Sequence, residues 1–360
     1  MSRLIVSLGA AAMLTLAVSI ATADAQEHGP TLAVTMTNDP IVNEIKVYDA
    51  GTGTLLQTLP TQGKGGAGGN ARGVKQSDGE LVAAVNNGSG TVALFKRDGN
   101  GLKFGRLIST TSAPVSIDFG NDHLYVAGAT TVDSFVVHGN TVQGLDGTAG
   151  LELATGGAPP NGSTAQVGVI DDKQLLVTLK ADPDPGTVDV IALRDGRITG
   201  DAATAVSAPA GTLTPFGFAV YPDGTALITL AHSNQDGLFR AGVFTSVIGA
   251  GQDASCWMTR VGKYVFVANT GSRTISRLIG TGNHVFVDST IAASVPTGAP
   301  ADIDANAGVL GVIDHGAGQS HLSLFSYNAF GELTPRGTAI NVGVANANGV
   351  AIVPASPDQN

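Results

Sequence analysis

Six ionisable residues stand in polar turns next to short apolar segments: Arg72, Lys180, His232, Asp302, Asp314 and His315. An imidazole titrates near neutrality and can take a proton from water, so His232 and His315 are candidate bases. Asp302 or Asp314 would orient such a base or serve as the alternative acid–base group. Arg72 and Lys180 are candidate holders of an anion or of developing negative charge. Asn86, Gln166 and Asn269 add neutral amides that could bind a ligand. Each type also has a structural competitor: an asparagine after a strand commonly satisfies local backbone, and a loop lysine is commonly solvated.

Other chemistries find no support. There is no Gly-x-Ser-x-Gly elbow and no Cys-His haem motif, and Cys256 beside Trp257 reads as a buried thiol. The Asp182-Pro-Asp-Pro-Gly186 loop supplies two carboxylates, short of the six to eight oxygens that calcium takes. The glycine run over residues 63–69 follows Pro60 and lacks Gly-Lys-Ser/Thr, so it reads as a flexible loop rather than a phosphate cradle. No metal and no cofactor is expected. A formal charge of −10 with 13% charged residues excludes the basic stripe that a nucleic-acid partner requires.

The elements that must carry these residues are strands. Helical periodicity is almost absent; apolar segments of five to seven residues recur between turn clusters, and 49 glycines supply tight turns. One segment type appears seven times, at residues 32–36, 81–85, 124–127, 175–179, 226–230, 264–268 and 309–313. The repeat length fits a four-stranded propeller blade. Upstream lies another strand and turn, as in Phe218-Ala-Val-Tyr before Pro222-Asp-Gly; downstream come a third and a fourth, as in residues 91–96 and 102–108. The first segment has no strand before it, whereas Asn348-Gly-Val-Ala-Ile-Val-Pro resembles the first strands of the other blades. The expectation is an all-β, seven-bladed propeller of four-stranded antiparallel blades, closed by a last strand joining the N-terminal blade. In such blades the loops after second strands and those entering the next blade surround one mouth of the channel. The candidate residues lie on these loops.

Arg3, an apolar run over residues 4–20 and small residues at Ala21, Ala23 and Ala25 read as a signal peptide over residues 1–25. Residues 26–30 are then a leader, 31–354 a single propeller domain and 355–360 a tail. The expected location is periplasmic or secreted, without stable membrane insertion after cleavage. The single cysteine allows no intrachain disulfide.

Four segments, Phe266-Val-Ala-Asn-Thr-Gly-Ser-Arg-Thr-Ile-Ser, Ala84-Val-Asn-Asn-Gly-Ser-Gly-Thr-Val-Ala-Leu-Phe, Thr214-Pro-Phe-Gly-Phe-Ala and Ala254-Ser-Cys-Trp, resemble the seven-bladed propeller lactonases. That family includes 6-phosphogluconolactonase-like and carboxymuconate-lactonising propellers. The resemblance implies an exported, lactonase-like protein acting on a small carboxylate-bearing lactone, by hydrolysis or lactonisation. Arg72 or Lys180 would then contact the carboxylate. Leu179 and Leu230 stand at strand ends where that family commonly carries glutamate. The alternative is therefore a non-catalytic propeller that binds a ligand or an envelope protein.

Overall fold

The computed structural model describes residues 29–152, 164–180, 186–281 and 284–355. The expected signal peptide lies outside the described residues, as does most of the Asp182-to-Gly186 loop.

Seven antiparallel sheets form the molecule, each built from consecutive strands except the first. The second strands are Leu32–Met36, Leu81–Asn86, His123–Gly128, Gln174–Leu179, Ala226–Leu230, Tyr264–Asn269 and Val309–Gly316. They coincide with the seven repeated segments. Several are buried along their whole length, because each blade packs both faces against its neighbours. That is why they read as continuous apolar runs instead of alternating ones. Fourth strands such as Leu55–Pro60 and Val243–Ile248 are half-buried or exposed, which confines the core to the inner three strands.

The innermost strands are Asn348–Val353 (blade 1), Val74–Ser77 (blade 2), Pro114–Gly120 (blade 3), Thr164–Val169 (blade 4), Pro215–Val220 (blade 5), Ser255–Val261 (blade 6) and Ala299–Asn306 (blade 7). Each contacts the next, and the seventh contacts the first, so the ring is closed. Closure is made as expected: Asn348–Val353 pairs antiparallel with Leu32–Met36, Leu32 opposite Val353. The fourth strands of blades 4 and 7 are each split into two short pieces.

In six blades the pairing of the inner and second strands shifts register at the start of the inner strand. Such bulges re-aim the side chains that follow them. Here they stand beside Ser116, Gln166, Phe218, Trp257 and Asp302. In blade 1 the bulge needs Gly349, at φ +72°, where a Cβ would lie 2.4 Å from the Val74 nitrogen.

Candidate functional site

The channel mouth is occupied by the glycine-rich segment that leads into blade 2. Gly65 donates its N–H to the Asp39 carbonyl at 2.7 Å, and Gly66 and Ala67 donate to the Asn38 side-chain oxygen at 2.8 and 3.0 Å. Asn38 returns a bond from Nδ2 to the Ala67 carbonyl at 2.7 Å. Trp257 of blade 6 donates to the Asn70 carbonyl at 3.0 Å, Ala71 donates to Ala165 of blade 4 at 3.0 Å, and the Arg72 N–H donates to Asp302 Oδ2 of blade 7 at 3.0 Å. The Asn70 and Asn348 amides bond each other at 3.0 and 3.3 Å. Contacts from most of the ring thus pin a run that the sequence reads as flexible. Gly65 is sterically required, since a Cβ there would sit 2.3 Å from the Asn38 carbonyl carbon.

Between this segment and blades 1, 6 and 7 lies a cavity of about 440 Å³. Gly68, Gly69, Asn70, Trp257, His315 and Asn346 are among its lining residues. Among the described residues that line it, His315 has the one ionisable side chain. Its Nε2 lies 2.8 Å from the Ala347 carbonyl. A carbonyl can only accept, so Nε2 carries a proton, and in the neutral imidazole the lone pair is then on Nδ1. A larger cavity, of about 550 Å³, lies between the outer parts of blades 6 and 7 and has no ionisable residue among the described residues that line it.

The other sequence-predicted residues are elsewhere. Asp314 is fully buried, accepts from Thr297 Oγ1 at 2.6 Å and lies 3.3 Å from His321 Nδ1, an ion-pair distance without hydrogen-bond alignment. Burial raises its pKa. Strand alternation puts Asp314 and His315 on opposite faces, so Asp314 does not orient that imidazole. Asp302 accepts the backbone N–H groups of Arg72 and Ile303, and burial pushes its pKa up to about 7. The Arg72 guanidinium lies deeper in the channel, 3.3 Å from Asp118 Oδ1 and within a 3.4 Å hydrogen bond of the Phe218 carbonyl.

Gln166 uses both ends of its amide on the Phe218 backbone, at 2.9 Å each. Asn86 is fully buried and bonded to Asn43, Thr61 and Thr91, between blades 1 and 2. Asn269 is fully buried and donates to Thr274 and Ser276. His232 sits on an exposed turn with Nδ1 3.1 Å from Thr214 Oγ1. Lys180 is buried and donates to the carbonyls of Gly68, at 3.3 Å, and Gly69. Burial lowers its pKa to about 8. The nine candidates therefore do not converge. Trp257 and the glycine segment, which carry the mouth, were readable only as a strand residue and a loop.

No protein-family model and no curated protein sequence matches the chain. Solved structures do. A periplasmic gluconolactonase of Pseudomonas aeruginosa superposes with a TM-score of 0.65 at 16% identity, over 91% of this chain and 100% of that one. A candidate 6-phosphogluconolactonase of Bacteroides uniformis gives 0.65 at 16%, over 90% and 99%. The chain has the fold of the lactonase propellers. A second propeller of this fold, a catalytically inactive histidine-to-alanine variant of virginiamycin B lyase from Staphylococcus aureus with quinupristin, gives 0.52 at 15% identity, over 75% and 84%. At these identities the likeness is one of fold. Among the described residues no helix is long and apolar enough to cross a membrane.

Proposed function

We propose that this protein is an exported, lactonase-like enzyme that opens a small lactone in the mouth cavity, with His315 as general base. The observation that carries the reading is the contact of His315 Nε2 with the Ala347 carbonyl, which leaves Nδ1 as the basic nitrogen of the neutral imidazole, in a cavity large enough for a sugar-sized ring. Nδ1 takes a proton from water, the hydroxide attacks the ring carbonyl, and the ring oxygen leaves with a proton returned from the imidazolium. The superposition with a periplasmic gluconolactonase supports both the activity and the export.

Among the described residues the cavity lining holds amides, Trp257 and Thr270 but no lysine or arginine side chain. A carboxylate on the substrate would meet no cation there, so the proposed lactone is neutral and hydroxyl-rich. This revises the expectation that Arg72 or Lys180 contacts a carboxylate. The test is acid release from glucono-1,5-lactone, against a muconolactone and an acyl lactone. Turnover lost by at least 100-fold in a folded His315→Ala protein supports the reading; unchanged turnover in that variant removes it.

A second reading is favoured by the lack of any carboxylate among the described residues of the lining. A non-catalytic propeller would bind a lactone, a sugar or an envelope protein at this mouth without consuming it. Saturable binding with no turnover of any lactone selects it.

A further inference from the structure

Lys180 is a cation in an unusual setting. It is buried at the end of Gln174–Leu179 in blade 4, 5.8 Å over the Phe216 ring, and its ammonium is directed at backbone instead of at an acid. Its partners are the carbonyls of Gly68 and Gly69. A trans peptide unit holds its C=O and N–H antiparallel. The N–H groups that belong to those two units are those of Gly69 and Asn70, so both point away from Lys180. Away from blade 4 lie blades 6, 7 and 1, whose Trp257, His315 and Asn348 line the cavity together with Gly69 and Asn70.

Five neighbouring N–H groups are satisfied: Gly65 by Asp39, Gly66 and Ala67 by Asn38, Ala71 by Ala165, and Arg72 by Asp302. Those of Gly68, Gly69 and Asn70 meet no acceptor among the described residues, and of these the Gly69 and Asn70 N–H groups belong to the peptide units that Lys180 holds. Gly69 has φ +56°, a left-handed conformation that turns successive N–H groups toward one side. A side chain there would lie 2.8 Å from the Lys180 Nζ. The glycine is thus needed for both the turn and the lysine contact.

We infer that the Gly69 and Asn70 N–H groups form an oxyanion-binding pair facing the mouth cavity, and that Lys180 is the residue that positions and polarises them. A cation on the carbonyl end of a peptide strengthens its N–H as a donor. Such a pair would hold the carbonyl oxygen of a lactone as water adds to it, and the carboxylate of the product afterwards. This rests on the lactonase reading for the identity of the oxygen, but the anion site itself does not.

The experiment follows Gly69 and Asn70 amide resonances in [15N]-labelled protein during titration with sodium gluconate, alongside glucono-1,5-lactone turnover. In the wild type both resonances move downfield and saturate. In Lys180→Met the response is lost or weakened at least tenfold and kcat falls about 100-fold with KM little changed, while Lys180→Arg recovers part of both. Wild-type amides unmoved by gluconate overturn the inference, as does a Lys180→Met protein that titrates and turns over like the wild type. Should Lys180→Met fail to fold, the wild-type titration decides alone. Responding amides without turnover keep the anion site and remove the lactonase reading; turnover with silent amides does the reverse.

Discussion

The indole N–H of Trp257 donates to the Asn70 carbonyl at 3.0 Å, so a side chain from the inner strand of blade 6 holds the segment entering blade 2 across the channel. The ring also packs edge-on against Phe216 of blade 5, centroids 5.3 Å apart. Trp257→Phe keeps an aromatic face and removes the donor, leaving the Asn70 carbonyl without its partner. A loss of about 1 kcal/mol is expected, read as a lower urea midpoint with unchanged slope. A midpoint equal to the wild type would show that the bond contributes nothing.

Arg72 should matter for stability more than for a neutral substrate. Its guanidinium pairs with the mostly buried Asp118 and bonds the Phe218 carbonyl, away from the cavity lining. Arg72→Met leaves Asp118 with one uncompensated oxygen, while its other still accepts the Val169 N–H at 3.0 Å. The expected cost is about 3 kcal/mol in chemical denaturation, with turnover per folded molecule within a few-fold of the wild type. Loss of turnover in a fully folded variant would instead place Arg72 at the substrate.

Three buried acids make the protein more stable in mild acid. Burial pushes the pKa values of Asp189, Asp236 and Asp302 up to about 7, from 3.8. Because the folded values lie above the unfolded ones, the folded protein binds more protons between these limits. The contribution of these groups is therefore full below pH 4 and lost as pH rises through about 7. Asp236, with Oδ1 on Ser255 and Oδ2 without a partner, is the clearest case. Asp236→Asn should raise stability at pH 8 by on the order of 2 kcal/mol and leave it nearly unchanged at pH 4. Melting curves at the two pH values check this, and equal shifts at both would contradict it.

Lys180 should link alkaline pH to activity. Its folded pKa of about 8 lies below the ordinary 10.5, so its charge costs stability at neutral pH. That cost is relieved as pH rises from about 8 to about 10.5. Turnover should fall above pH 8 as the ammonium releases the Gly68 and Gly69 carbonyls, without unfolding. A profile flat from pH 7 to 9.5 in folded protein would separate the lysine from catalysis.

The blades were legible because their signal is local. A strand packed on both faces must be apolar at successive positions, as in Leu81-Val82-Ala83-Ala84-Val85, and tandem copies of such runs reveal the repeat. The closing strand was legible for the same reason, since Asn348–Val353 repeats the pattern of the other inner strands. The site was not. Asn86 and Asn269 have the residue type and position of ligand-binding turn residues, but Thr61 and Thr91 engage the Asn86 amide, and Thr274 and Ser276 take the Asn269 Nδ2 donors.

The sequence by itself determined the number of blades, their strand order and the way the ring closes. Tertiary structure alone decided which polar groups share the mouth. A charge or an amide near a strand end has no fixed partner until distant segments meet it: Lys180 finds carbonyls 111 and 112 residues away, and Trp257 finds one 187 residues away. Pairings over such separations depend on how seven blades pack around one axis, and no local pattern encodes that.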